Sequence, residues 1–233
     1  MRMLHVPPAL RWLAAAVALA GVAWALVVPA WQVPDEDAHF AYVQTLVELH
    51  RLPADDGRPV GAAAKSSEQA LAERASGFLD SAQRIEADPE WSVAAYRRWA
   101  ARQATLGRPE REDGGGDNPA RNNPPGYYLY ASLGYLTARS GSVIDRLYVM
   151  RLLSVPLLMA FALSGWLLAG EVLRRDRPAQ LLCGAVCGLA PMATFIGSAV
   201  TPDALLFPLW GMALWLSLRV ARRGACASDL AWL

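Results

Sequence analysis

The chain has 233 residues, 54% of them hydrophobic and 18% charged, with a formal net charge of +1 and a mean hydropathy of +0.20. So even a balance excludes a nucleic-acid binder working through a basic face, and the apolar fraction excludes an intrinsically disordered chain. The charges are segregated: residues 32–145 hold 17 acidic and 12 basic side chains, whereas residues 147–233 hold 4 and 7. That division predicts an all-α, polytopic membrane protein with one large polar loop. Lys65 is the single lysine among the 22 basic residues, which with the alanine richness marks a GC-rich bacterial genome and carries no chemistry. Cys183, Cys187 and Cys226 all lie outside the polar loop, so no disulfide framework is expected there.

Residues 1–30 read as a cytoplasmic N-terminus and a first transmembrane helix. Trp12 to Val28 is apolar without interruption, about the length that crosses a bilayer core. Arg2, His5 and Arg11 precede it. The run is long for a signal-peptide core and further spans follow, which favours an uncleaved anchor.

Residues 31–146 read as a large extracytoplasmic loop with interfacial helices. Pro34-Asp35-Glu36-Asp37 predicts a helix start, with proline at the first position and acids in the first turn. Phe40, Val43 and Val47 follow at helical spacing, and Leu52-Pro53 ends that helix. Residues 62–85 and 91–106 look helical. Gly114 to Pro125 reads as a flexible linker. Residues 126–138, GYYLYASLGYLTA, are too short for an ordinary span, and their tyrosines suit the headgroup region, so an interfacial or re-entrant helix is expected.

Three further transmembrane helices are predicted over 147–173, 179–200 and 203–221, and residues 222–233 form a cytoplasmic end where another apolar segment begins. Arginines crowd positions 174–177 and 222–223, which places those loops inside and the turn at Thr201-Pro202-Asp203 outside. Gly184 and Gly188, four apart, predict close helix packing, with Cys183 and Cys187 beside them as packing residues.

The candidate chemistry lies at the predicted outer ends of the spans. Asp35, Glu36 and Asp37 follow the first span, and Asp203 opens the last. Carboxylates at a lipid surface suit two tasks: holding a divalent metal against phosphate oxygens, or deprotonating an acceptor hydroxyl. Asp35 and Asp203 are the candidate ligands for such a metal, Mg or Mn. Asp35, Glu36 and His39 are the candidate catalytic residues, His39 being placed one helical turn after Asp35. Each acid also has a plain structural reading, as negative charge complementing a helix N-terminus. Arg151, a cation inside an apolar run, is costly unless paired or at the interface, and is the candidate ligand for a lipid phosphate.

Four segments carry a resemblance. VPDEDAHFAYVQ at 33–44 resembles the signature of a bacterial multi-pass membrane family with a PDEPAHF-type motif, within the GT-C glycosyltransferase superfamily. NPPGYYLYASLGYL at 123–136 is similar to the Pro-Pro-x-Tyr-Tyr segment that ends the first outer loop of GT-C enzymes. LYVMRLLSVPLL at 147–158 resembles their second span, and SAVTPDALL at 198–206 their second acidic motif. The resemblance implies a GT-C-like N-terminal transmembrane module in a bacterial cytoplasmic (inner) membrane. It implies transfer of a sugar from a polyprenyl-phosphate donor to a cell-envelope glycan or protein acceptor, with Asp35 and Glu36 as first-loop acids and Asp203 as the second acidic site. The sequence departs from the pattern at Asp37, where the family has proline, and at the second site, which has one acid rather than Asp-x-Asp. Both departures weaken the case for a metal. The competing readings are a non-catalytic membrane protein that binds polyprenyl lipid or envelope glycan, and a transporter fragment. The last would place polar groups at mid-membrane and break its helices.

The arginine pattern gives a direct test of orientation. On a background without native cysteines, an impermeant thiol reagent should label Ser76→Cys and spare Ser228→Cys; equal labelling of both overturns the predicted topology.

Overall fold

The computed structural model describes residues 7–53, 64–75, 109–173 and 176–224, with a few positions between 93 and 105. Among the described residues every regular element is helical. They are α1 (Pro8–Val27), α2 (Glu36–Glu48), α3 (Ser67–Ala75), α4 (Pro109–Glu112), a 3-10 turn (Pro119–Asn122), α5 (Gly126–Thr137), α6 (Val143–Val172), α7 (Arg177–Leu189), α8 (Pro191–Gly197) and α9 (Asp203–Arg223). The chain divides into a loop unit, residues 28–153 with 200–202, and a membrane unit made of the remainder.

The loop unit is organised on α2, whose residues are nearly all buried. Helix α5 packs along it, and the 3-10 turn and α4 close its other sides. The expected linker from Gly114 to Pro125 is in fact part of this core, and a flexible segment is the wrong description of it. Gly114 lies so close to the Ser66 backbone that a Cβ would come within 2.7 Å of its nitrogen. Gly115, at φ +85°, donates its N–H to Ala64 and leaves no room for a side chain beside Leu49. The glycines thus serve close backbone approach rather than mobility. Of the helix expected over 62–85, α3 is the described part. The remainder, and nearly all of the helix expected over 91–106, lie outside the described residues.

The membrane unit contains three helices long and apolar enough to cross a bilayer, α1, α6 and α9, plus the bent pair α7–α8. Helix α1 buries a single seam, Leu13, Val17, Gly21 and Ala25, one residue per turn. Its other faces stay apolar and open, with Leu19 and Trp12 about three-quarters exposed. A helix in water would be polar there; one in lipid need not be. The segment expected as one helix over 179–200 is broken, because Pro191 cannot continue α7, and the axis turns by 55°. Thr194 Oγ1 sits 3.1 Å from both the Gly188 and Ala190 carbonyl oxygens and covers the break. Together the two pieces hold about 30 Å of helix, roughly a bilayer core.

Packing partners fix the direction of each segment. Along α1, Leu13, Val17 and Trp24 meet Gly184, Gly188 and Phe195 in turn, so α7–α8 runs parallel to α1. Along α6, Leu158, Ala162 and Gly170 meet Gly197, Gly188 and Gln180, so α6 runs the opposite way. Helix α9 follows α6, from Phe207 on Phe161 to Arg223 on Glu171. The bent pair therefore runs beside α1 along its length, and the four segments alternate in direction. Gly184 and Gly188 are the points of closest approach, and Cys187 packs on Gly165. A Cβ on Gly188 would lie 2.7 Å from both Ala162 Cβ and Val17 Cγ2. Gly188→Leu should cost roughly 1–3 kcal/mol or more through overpacking, read as a lowered unfolding midpoint in detergent, while Leu182→Ala on the exposed face of α7 should change little.

Candidate functional site

The turn that joins α1 to α2 is unusual in its backbone. Trp31 (φ 67°) and Asp35 (φ 56°) both occupy the left-handed region, which is uncommon for aspartate and a true outlier for a bulky aromatic. Such residues cost of order 1–3 kcal/mol each and persist only where the surroundings hold them. Here the holding group is Glu36, fully buried at the first position of α2. Its carboxylate accepts from Arg151 Nε at 2.8 Å and from a second guanidinium nitrogen at 2.5 Å, a bidentate pair. It also accepts the Trp31 N–H and the Val200 N–H, each at 3.2 Å. Arg151 completes the clamp by donating to the carbonyls of Val28 (2.6 Å) and Pro29 (2.9 Å). One ion pair thus ties the end of the first span, the strained turn, α6 and residue 200 together.

The tyrosine motif arrives on the next turn of α2. Asn123 Nδ2 donates to Tyr128 Oη at 2.9 Å, and Tyr128 Oη lies 2.9 Å from His39 Nδ1. The direction of the His39–Tyr128 bond follows the imidazole tautomer, and the phenol can serve either role beside Asn123. Tyr42 stacks on Tyr128 with ring centroids 3.7 Å apart and donates to the Asn123 carbonyl. Tyr127 Oη accepts the Thr201 N–H at 3.1 Å. All four sequence segments that carry the resemblance therefore meet at the start of α2, within the loop unit.

The predicted site residues fall into separate positions. Asp35 is exposed and occupies the N-cap position of α2, its carbonyl accepting the His39 N–H at 3.0 Å, but its side chain makes no capping bond. The expected start with proline at the first helical position is corrected: α2 begins at Glu36, because the left-handed turn at Asp35 leaves Pro34 outside. Glu36 is turned inward to Arg151. His39 is buried and turned to Tyr128, so one helical turn of sequence spacing does not put it beside the Asp35 carboxylate. Arg151, expected at a lipid phosphate, is 1% exposed and engaged by Glu36. Asp203 opens α9 in the membrane unit. Among the described residues no three His, Cys, Asp or Glu side chains gather as a donor set for a divalent metal.

Two buried polar clusters escaped the sequence reading. In the first, Arg146 donates to Glu68 (2.6 Å) and to Tyr135 Oη (2.5 Å); Tyr135 donates to Glu48 (3.1 Å), which also accepts from Arg139 (2.7 Å). Burial opposes ionisation of Glu48, but hydrogen bonds from Arg139 and Tyr135 outweigh it and hold its pKa below the ordinary value. Burial pushes the Tyr135 phenol well up, so it stays a donor. In the second cluster, Lys65 pairs with Asp37 and with Glu73, the latter at 2.8 Å. Burial raises the Glu73 pKa more than Lys65 lowers it, while the two carboxylates overcome burial and raise that of Lys65. The available signals were Arg146 against the start of an apolar run and Glu48 on the otherwise apolar α2, neither of which names a partner.

A family model described as a predicted membrane protein, DUF2142, matches residues 18–233. No curated protein and no solved structure matches the chain.

The clamp predicts a specific pattern of instability. Removing one partner of a buried ion pair typically costs about 3–5 kcal/mol. Arg151→Met and Glu36→Gln should each lower stability by that order in a detergent unfolding titration. The double variant Glu36→Leu/Arg151→Met should recover only part of the loss, since the Trp31 and Val200 N–H groups and the Val28 and Pro29 carbonyls all lose partners. Wild-type stability of Arg151→Met alone contradicts the clamp.

Proposed function

The chain belongs to this family of predicted membrane proteins, and on that premise we propose that it is a lipid-donor glycosyltransferase of GT-C type, or the N-terminal part of one, acting on the extracytoplasmic face of a bacterial inner membrane. The observation that carries the reading is Asp35. It is an exposed aspartate in a left-handed conformation, its side chain caps nothing, and a buried ion pair keeps the turn around it in place. Backbone strain held by its surroundings at an exposed acid is a feature of working sites. The meeting of the four family-like segments on the same few residues of α2 supports the same reading. The arginine distribution is consistent with the same reading, in which the ends of α6 and α9 near Glu171 and Arg223 face inside.

In this reading the donor is a sugar on polyprenyl phosphate and the acceptor a hydroxyl of an envelope glycan or protein. Asp35 takes the acceptor's proton as the acceptor oxygen bonds to the anomeric carbon. The bond from that carbon to the lipid phosphate breaks, its electron pair leaves with the phosphate, and the anomeric configuration inverts. Asp203 is the second acid. Glu36 and Arg151 are positioning residues, since each binds the other rather than substrate, and His39 supports α5 through Tyr128.

A second reading, a non-catalytic membrane protein that binds polyprenyl lipid or glycan, is favoured by the inward engagement of Glu36, Arg151 and His39, which leaves few free groups for chemistry. The transporter reading gains little from the break at Pro191, because Thr194 covers the carbonyls there.

The two leading readings separate on one assay. Membranes bearing the full-length protein are supplied with polyprenyl-phosphate sugar and transfer is measured. Asp35→Asn should reduce turnover by roughly two to four orders of magnitude at unchanged expression, because an exposed acid contributes only about 0.3–1 kcal/mol to its helix. Wild-type turnover by both Asp35→Asn and Asp203→Asn rejects the catalytic assignment.

A further inference from the structure

Helix α5 carries two unlike faces. One is built into the loop unit: Tyr127, Tyr128, Ala131 and Tyr135 are buried against α2. Gly134 lies so near α6 that a Cβ would come within 3.0 Å of Met150 Cα, and Tyr130 Oη donates to the Leu153 carbonyl at 2.8 Å. The other face presents Leu129, Leu133 and Leu136, at helical spacing of four and three, each about half exposed. Beside it, Leu46, Val47 and Leu52 from the end of α2 join Leu129 and Leu136 in an open groove of about 460 Å³. The exposed His50 and Arg51 also line this groove.

We propose that this leucine face and groove are a lipid-contacting surface: α5 lies in the bilayer interface with its leucines among the acyl chains, and the groove takes a stretch of lipid tail. Three observations name the occupant. First, α5 is fastened to α6 at Met150 and Leu153, and α6 is a span-length helix of 30 residues, about 45 Å long. That exceeds a hydrocarbon core of about 30 Å, so its first turns reach the headgroup level, and α5 lies against them. Second, only residues 138–142 separate the end of α5 from the start of α6, too short a tether for α5 to leave the membrane surface. Third, the polar groups are distributed as an interface requires. Arg51 and His50 border the apolar groove where they can reach phosphate, and Tyr130 is satisfied by α6, so no unpaired hydroxyl faces the lipid. The inference does not rest on transferase activity.

Site-directed spin labelling tests it on the full chain in phosphatidylcholine–phosphatidylglycerol vesicles. On a cysteine-free background, Leu129→Cys, Leu133→Cys and Leu136→Cys are labelled singly, with Leu19→Cys on α1 as the lipid reference and Gln32→Cys as the aqueous one. At the three α5 positions, collision with oxygen should exceed collision with a water-soluble nickel chelate, as at position 19, and the order should reverse at position 32. Nickel access at Leu133 equal to that at Gln32 overturns the proposal. So does protection of all three positions from both reagents, which identifies a protein partner instead. These are exposed positions, so the substitutions leave the packed face of α5 intact.

Discussion

A charged pair removed from water is an expensive way to hold a fold together, and the structure relies on one. Taking Glu36 and Arg151 out of solvent costs several kcal/mol per ion, a cost met only where geometry is good and the remaining hydrogen-bonding capacity is used. Both conditions hold. The carboxylate receives two bonds from the guanidinium and two from backbone N–H groups, and the guanidinium reaches two further carbonyls. An apolar replacement could fill the volume but could not satisfy four backbone groups from two separate stretches of chain. The pair is therefore better understood as a specifier of one turn than as a source of net stability.

What that turn achieves is a division of labour among neighbouring acids. Asp35, Glu36 and Asp37 are consecutive, yet one faces solvent, one is sealed with Arg151 and one binds Lys65. A regular helix start would fan three acids around its first turn, all within reach of water. The left-handed residue at 35 breaks that continuity and isolates a single carboxylate from its neighbours. The loop unit behind it is stiffened by polar networks rather than by apolar bulk alone, with Tyr135 joining Arg146 to Glu48 across α2 and α5.

Much of this architecture was legible in the sequence. The helical class and the apolar runs follow from hydropathy, and the small residues at 184 and 188 announced close packing that α1 and α6 supply. Their partners were not legible, because spacing shows that a helix can be approached and not by what. The glycine-rich stretch at 114–116 was misread for a related reason: glycine permits both flexibility and close contact, and only the adjacent backbone at 64–66 decides between them. Pro191 was visible inside its apolar run, but hydropathy averages over a break in the axis. At the candidate site the residue types were apparent and their roles were not. Arg151 read as an unpaired cation since its partner lies far upstream, and Glu36 read as an equal of Asp35 since sequence carries no record of φ. The networks around Glu68 and Arg146 were invisible for the same reason, their members being 78 positions apart.

The span of the clamp along the chain has a consequence for synthesis. Glu36 finds Arg151 115 residues later and the Val200 N–H 164 residues later. Until those segments emerge, the turn after the first span has no partner to hold Trp31 and Asp35 in their unfavourable conformations. At roughly 5–20 residues per second, that interval is on the order of ten to thirty seconds. During it a carboxylate destined for burial waits without its partners. The clamp is thus completed by the stretch just before α9 and not by the segment that carries Glu36, so a ribosome that stops short of residue 200 leaves the Glu36 carboxylate without one of its four hydrogen bonds.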